Sequence, residues 1–397
     1  MRPPILLDLT ETAHTRARTG IQRVCLSLLG SLGTSGTGCR GITHDPHAAA
    51  WRPLADWERA NLAATTPAAG RKARWPWPAR LAGRLRRWAR TPPPALPETA
   101  ALLVPEIFSP STARALPALF ARVSGPRAAV FYDAIPLQLP ALTPPRTVAR
   151  FPGYLRELLM FDGIAAISED SRDALLGWWR WCGVTEHPPV VAIPLGVDLP
   201  SAPAVSPEIM SPAAPPAVLC VGSLEGRKNH LALLDACETL WARGARFQLR
   251  LIGLAHPQTG RAALARVHAL QAAGRPLCYD GVADDTTLAA AYAGCAFTAY
   301  PSLREGFGLP LIESLARGRP CVCSAHGALG ETARGGGCLA LDTMDAASIA
   351  AALERLLADP AALATLAAAA RVRRFKTWAG YTKDVTDWMS GLPRRRN

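Results

Sequence analysis

Two carboxylates stand eight residues apart around a glycine-bearing turn in the run Glu305-Gly306-Phe307-Gly308-Leu309-Pro310-Leu311-Ile312-Glu313. Glycines in such a turn let backbone N–H groups come close to a ligand. A helix opening near Gly308 would add unpartnered N–H groups and a partial positive charge, a pairing that favours an anion. Pro310 fits that first turn, where no N–H is needed. Glu313 then lies little more than a turn in, within reach of a ligand's hydroxyls. A capped helix start with two solvated glutamates would use the same residues. A second run, Val221-Gly222-Ser223-Leu224-Glu225-Gly226-Arg227-Lys228-Asn229, sets two cations where an apolar run gives way to a helical one. Asn229 suits the helix N-cap there. Two fixed cations at such a turn fit a diphosphate and would stabilise charge developing on a leaving phosphate. In a chain with 44 Lys plus Arg, a pair of surface cations is the plain alternative. The run Tyr279-Asp280-Gly281-Val282-Ala283-Asp284 is a third turn of this kind, or an ordinary strand-to-helix connection.

The first half offers less. In Thr19-Gly20-Ile21-Gln22-Arg23, Gly20 permits close approach and Arg23 suits a phosphate or a second substrate. In Phe131-Tyr132-Asp133-Ala134-Ile135-Pro136-Leu137, Asp133 can orient or deprotonate a hydroxyl. It can equally close a strand end by accepting from backbone amides. Ser168 and Arg172, after the run GIAAI, are weaker candidates.

These residues gain meaning from the elements that must hold them. Strand-like runs (ILLDLT, AALLVPEIF, AAVFYDAIPL, GIAAISED, VVAIPLGV) alternate with helical stretches near 21–29, 147–160 and 171–181. The pattern repeats more regularly from AVLCVGS onward, with helices expected over 229–241, 261–273, 284–293, 308–316, 346–358 and 360–373. Alternation of this kind means βαβ units and mainly parallel sheets. Ligands of such sheets bind beyond the carboxyl ends of the strands, where the turns above fall. The expected division is a first Rossmann-like domain over 1–197, a Pro/Ala/Ser-rich linker over 198–216, a second domain over 217–375 and a terminal helix with a basic tail over 376–397. Residues 40–100, rich in Trp, Pro and Arg, read as an irregular insert.

The Glu305–Glu313 run resembles the E-x7-E signature of the family 4 retaining glycosyltransferases, whose fold is α/β, of the GT-B type: two Rossmann-like doubly wound domains facing across a cleft. The resemblance implies that Glu305 contacts the donor sugar and Glu313 the ribose. It also implies that amides near Phe307, Gly308 and Leu309 face sugar and phosphates. The 221–229 run resembles the family's diphosphate-binding turn. Arg is common there at the position of Ser223; here Arg227 stands beside Lys228 instead, as in mannosyl- and rhamnosyltransferase-like members. By the same resemblance Gly222 and Ser223 line the donor, the loop at Val282 holds the base through backbone groups, and Gly20 and Arg23 belong to a TGI-x-R element on the acceptor side. Ser168 and Arg172 fall on that side too. Many relatives have His-Asp where this chain has Tyr132-Asp133. The stretch RFKTWAGYTKDVTDWM resembles the family's final helix, which crosses back to the first domain, with Phe375 and Trp378 as packing residues. The implied activity is transfer of a hexosyl group from a nucleotide-diphosphate sugar to a saccharide or lipid-linked saccharide acceptor, with retention, in cell-surface polysaccharide assembly. A nucleotide-sugar epimerase of the same architecture and a non-catalytic nucleotide-sugar-binding subunit are the alternatives. No cofactor and no metal is expected, because protein cations stand where a metal would and no suitable DxD element is present.

Bulk composition bounds these readings. A net charge of +13 favours anionic partners without choosing among them. Every apolar run breaks before about 18 residues, so no transmembrane helix is expected. The N-terminus makes a poor signal peptide, since Asp8 interrupts its short apolar run. The ten cysteines lack zinc-type pairing and read as buried thiols, with Cys321 and Cys323 on one strand face. A cytoplasmic protein follows. Residues 71–90 carry Arg71, Lys72, Arg74, Arg80, Arg84, Arg86, Arg87 and Arg90, no acid, and three tryptophans. That composition suits either a solvated loop or peripheral contact with an anionic membrane at its inner face. Nucleic-acid binding is not expected, because no recognised module accompanies the patch.

Overall fold

A computed structural model describes residues 4–15, 19–34, 38–64, 75–92, 94–96, 101–197 and 215–393. Arg71, Lys72 and Arg74 and most of the expected linker, 198–214, lie outside the described residues. The chain divides into two compact units: Met1–Tyr132 with Arg150–Gly196 and Trp378–Asn397, and Asp133–Ala149 with Val197–Thr377.

The first unit is built on seven strands: β1 (Ile5–Asp8), β2 (Cys39–Asp45), β3 (Ala50–Pro53), β4 (Ala101–Val104), β5 (Arg127–Phe131), β6 (Gly163–Ala166) and β7 (Val190–Ala192). Their order is β3-β2-β1-β4-β5-β6-β7, and every pairing is parallel except β2 with β3. The runs ILLD, ALLV, RAAVF and GIAA are buried along their whole length. A strand covered on both faces has no polar side to alternate with, which is why these read as continuous apolar runs. The helix Gly20–Thr34 packs on the terminal helix Trp378–Ser390. Gly163 lies close beneath Leu392 and Trp388 of the terminal segment, where an added Cβ would come within 2.8 Å of both.

The described part of residues 40–100 departs from the expectation of an irregular insert. It contains β2, the antiparallel edge strand β3, and the helices Asp56–Ala63 and Trp77–Trp88. A buried polar network ties the strand Ala50–Pro53 to the helix Asp56–Ala63. Arg52 donates from Nε to Asp45 Oδ2 at 3.0 Å and from its two Nη atoms to Glu58 at 2.7 and 2.9 Å. His14 meets Glu58 Oε1 at 2.9 Å. Trp57 stacks on His14, and Trp75 packs against both His14 and the Arg52 guanidinium. Charged groups survive burial when each finds its partner. A sequence reading sees the same residues as surface charge.

The second unit carries β8 (Ala217–Val221), β9 (Gln248–Ile252), β10 (Leu277–Gly281), β11 (Phe297–Tyr300), β12 (Cys321–Ser324) and β13 (Cys338–Leu341), all parallel, in the order β10-β9-β8-β11-β12-β13. The order reverses at β8, which pairs with β9 on one side and β11 on the other. The crevice outside that reversal is where an open α/β sheet binds its ligand. Gly253, after β9, makes the crevice possible: with φ +153° and Gly222 O only 2.0 Å from the place of a Cβ, no other residue fits there. The helices His230–Ala242, Arg261–Ala272, Asp285–Gly294, Leu309–Ala316, Ala346–Ala358 and Pro360–Arg371 lie close to where the sequence puts them. Asp284 caps its helix, accepting from Thr287 N at 2.7 Å. Asn229 does not cap in the expected way. It takes a left-handed conformation (φ 56°), and its side chain donates to Met344 O at 2.7 Å. Among the described residues no helix is long and apolar enough to cross a membrane.

Candidate functional site

Two turns meet at the strand-order reversal of the second unit. The first leaves β8 through Gly222, where Ser223 Oγ donates to Glu225 Oε1 at 2.6 Å, and passes through a short 3-10 turn, Gly226–Lys228. The second leaves β11 at Tyr300 and runs to Gly308. Two bonds tie them: the backbone Leu303 N donates to Arg227 O at 2.9 Å, and the side-chain Arg227 Nη1 donates to Arg304 O at 3.4 Å.

Glu305 lies between the two cations. Its Oε2 is 2.9 Å from Arg227 Nη1 and its Oε1 is 2.5 Å from Lys228 Nζ. Arg227 also reaches Glu225, with Nε 3.3 Å from Oε2. Lys228 is buried, its Nζ 2.5 Å from the Tyr300 hydroxyl and 4.8 Å from that ring's centroid. Tyr300 in turn lies within 3.8 Å of the places a Cβ would take at Gly222 and at Gly308. One aromatic ring therefore touches both glycine turns and the lysine.

The charges shape one another. Burial alone would raise the Glu305 carboxyl, but Lys228 and Arg227 outweigh it and hold it at about 2. Burial lowers the Lys228 ammonium, with Glu305 pulling the other way. For Arg227 burial is overcome by Glu305 and Glu225, which raise it further. Asp133, just after β5, accepts from Ile135 N at 3.0 Å, closing the strand end. Its carboxyl is raised by burial, while Arg227 is the strongest influence in the opposite direction. Asp133 therefore shares an electrostatic neighbourhood with Glu305, Arg227 and Lys228.

Gly308 is the N-cap of Leu309–Ala316, with φ +89°. A Cβ there would meet Leu329 Cδ2 at 2.5 Å, so glycine is required on two counts. Phe307 and Leu309 flank it, half-buried. Glu313 is buried one turn further on, with Oε2 3.4 Å from the Tyr292 hydroxyl, while the Arg317 guanidinium lies over the Tyr292 ring. Val282, past the end of β10, is 58% exposed.

The first-unit candidates have other settings. A Cβ at Gly20 would meet nothing within 4 Å, so the fold itself does not call for glycine there. Arg23 lies in the first turn of its helix, N–H donating to Thr19 O at 3.0 Å. Ser168 caps Glu169–Trp181, its Oγ accepting from Ser171 N at 3.1 Å. Arg172 pairs with Glu169 and Asp173 on the exposed face of that helix. Tyr132 is buried, its hydroxyl donating to Pro105 O at 2.6 Å.

Several residues escaped the sequence. Tyr300 reads as the last apolar residue of a strand. Asp8 reads as an interruption of an apolar run, yet it ends β1, where strand-end carboxylates are worth seeking. Burial pushes Asp8 up to about 6 and the neighbouring Glu106 up to about 8. Glu106 accepts at 2.7 Å from the backbone N–H groups of both Glu11 and Thr12.

His230, beside the cation turn, is buried with both ring nitrogens unpartnered. Burial, then Lys228, pushes it down to about 4, against Glu225. A histidine held neutral in the fold contributes stability that is complete above its unfolded value near 6.5 and is lost as pH falls toward 4. His230→Leu should cancel that loss, worth about 2 kcal/mol between pH 7 and pH 5. Asp8 and Glu106, with raised values, titrate in the opposite sense over the same interval. The test is therefore the difference in urea stability between variant and parent, which should grow in the variant's favour on acidification. A constant difference would rule the effect out.

Residues 215–359 match the family model described as glycosyl transferases group 1. The serotype-specific mannosyltransferase WbdA of Escherichia coli is 26% identical over 336 residues, covering 80% of this chain and 38% of WbdA. The chain thus spans about two fifths of that relative's length. Among solved structures, the sucrose-phosphate synthase of Thermosynechococcus elongatus superposes with a TM-score of 0.68 at 20% identity over 98% of both chains. Anabaena HepE, solved in complex with UDP and glucose, superposes with a TM-score of 0.65 at 14% identity, over 98% of this chain and 100% of HepE. With these likenesses and the two sheets described above, the chain has a GT-B fold of two Rossmann-like domains, the second of which carries the glycosyl transferases group 1 match.

Proposed function

We propose that this chain is a glycosyltransferase of the family 4, E-x7-E type. It moves a hexosyl group from a nucleotide-diphosphate sugar to a saccharide or lipid-linked saccharide acceptor, with retention of configuration, in the assembly of cell-surface polysaccharide. The observation that carries the reading is the Arg227–Glu305–Lys228 cluster, seated with the Gly308 helix start outside the reversal between β8 and β11. As the anomeric bond breaks, positive charge grows on the sugar and negative charge on the departing diphosphate. Lys228, Arg227 and the first amides of the helix Leu309–Ala316 meet the second of these, and preorganised donors of that kind need no rearrangement at the moment of reaction. Glu305 keeps the cations in register and presents its carboxylate toward the sugar. Glu313 holds ribose hydroxyls, and the backbone at Val282 holds the base. Asp133 orients the acceptor hydroxyl, and Gly20 and Arg23 serve the acceptor. Ser168, which also caps its helix, and Arg172 lie on the acceptor side in the same reading. The two cations make a metal unnecessary on this reading. The mannosyltransferase activity of WbdA supports a hexosyl donor, and the UDP and glucose complex of HepE supports a nucleotide-sugar one.

Thermal unfolding in the presence of UDP-, GDP-, dTDP- and ADP-sugars tests it. One donor class should raise the midpoint, since a ligand at a hundred times its Kd adds about 2.7 kcal/mol to the native state. NMR should then show that sugar joined to a saccharide acceptor with its anomeric configuration kept. An epimerised donor in the absence of acceptor, or no shift with any donor, would overturn the proposal.

A further inference from the structure

The helix Trp77–Trp88 has a face that is left exposed among the described residues. Trp77 and Trp88 are 73% and 84% exposed, and Leu81 and Leu85 are 48% and 54% exposed. At 3.6 residues per turn these four fall within an arc of roughly 80°. Gly83, the buried residue of the helix, faces the other way: an added Cβ there would come within 2.8 Å of His47 Cβ and 3.2 Å of Asp45 Oδ1. The helix is therefore pressed to the first unit along its glycine and turns its apolar stripe outward. Arginines flank the stripe: Arg80, Arg84, Arg86, Arg87 and Arg90 are all exposed, and 71–90 holds no acidic residue. Beside them Pro46, His47, Arg84, Arg87 and Trp88 line an open hollow of about 430 Å³.

We infer that this helix is a docking surface for an anionic phospholipid bilayer. The tryptophans and leucines enter the headgroup boundary, the arginines pair with lipid phosphates, and the hollow between Arg84, Arg87 and Trp88 receives one headgroup. An apolar stripe bordered by cations, on a helix lying flat against its own domain, is what an interfacial helix requires. Arginine forks match phosphate oxygens in pairs. A second copy of the chain fits the surface less well, because a two-fold contact through the stripe would set two arrays of arginine against each other. Trp75 takes no part, since it packs inward on His14 and Arg52. The inference is independent of the reaction proposed above.

Sedimentation of the full chain with vesicles tests it. Binding should be clear for phosphatidylcholine vesicles containing phosphatidylglycerol, weak for phosphatidylcholine alone, and reduced by salt. L81S/L85S/W88S should lower the partition coefficient at least about tenfold, and R80Q/R84Q/R87Q should lower it comparably and remove most of the salt dependence. All six positions are exposed, so both variants should keep the parental thermal midpoint and the parental turnover. Equal binding by parent and stripe variant would overturn the inference. So would no binding to the anionic vesicles, whether the chain is monomeric in solution or pairs through the stripe as judged by light scattering.

Discussion

Lys228→Ala should reduce sugar transfer about 100-fold or more, with most of the loss in kcat. Loss of a single preorganised donor to developing negative charge has that size in other transfer reactions, about 2.7–4 kcal/mol. Two features make this the most sensitive position in the site. Lys228 is buried, so water does not replace its charge. It is also bound on both sides, by Glu305 and by Tyr300, each at 2.5 Å. Removing it leaves Arg227 as the cation paired with Glu305. Lys228→Arg should recover only part of the rate, since a planar fork cannot stand in for a compact ammonium in a pocket closed by an aromatic ring. Steady-state kinetics with the donor found by thermal unfolding decides the matter, and unchanged kcat in the alanine variant would remove the lysine from the mechanism.

The largest expected effect on stability lies in the first unit. Arg127 and Asp162 form a buried pair in which Arg127 donates from its backbone N and from Nε to Oδ2, each at 2.8 Å, and from Nη2 to Oδ1 at 2.7 Å. Phe120 covers the guanidinium, 4.9 Å from ring centroid to Cζ. Both residues are almost wholly enclosed, with side chains 2% and 0% exposed. Arg127→Met should cost about 3–5 kcal/mol, because it strands a carboxylate away from water. Adding Asp162→Asn should return a good part of that loss, since the amide oxygen can still accept from the Arg127 backbone without carrying a charge. Urea unfolding followed by far-UV circular dichroism measures both. A cost below about 1 kcal/mol for the single change would mean that water reaches the pair.

How far the sequence disclosed this molecule depended on whether order came from local pattern or from distant partners. In the second unit the strands are short apolar runs, the helices begin at Asp284 or near Pro360, and the chemistry follows the strand ends. Each is a local signal, and the turns at 221–229 and 305–313 were legible for that reason. Arg52, Glu58 and His14 were not. Arg52 finds Glu58 and Asp45 six and seven residues away, across a turn and a strand pairing no local period announces, and His14 reaches Glu58 across 44 positions of chain; charged residues among prolines look like loop until the partner is known. Asn229 shows the same limit at smaller scale: its type fits a cap, but a carbonyl at Met344 claims its side chain. Tyr300 was hidden for the opposite reason. An aromatic residue at the end of a buried strand raises no question until a lysine is found against its ring.

The division of the chain has a consequence for cutting it. The polypeptide passes between its two units at four places, after Tyr132, Ala149, Gly196 and Thr377. A fragment stopped near residue 197 would lack Trp378–Ser390, whose Trp378, Tyr381, Val385 and Met389 are buried, and would carry Asp133–Ala149 severed from the unit it belongs to. A cut near 197 thus takes from each unit a segment that belongs to it, and isolated halves should express as insoluble material unless supplied together.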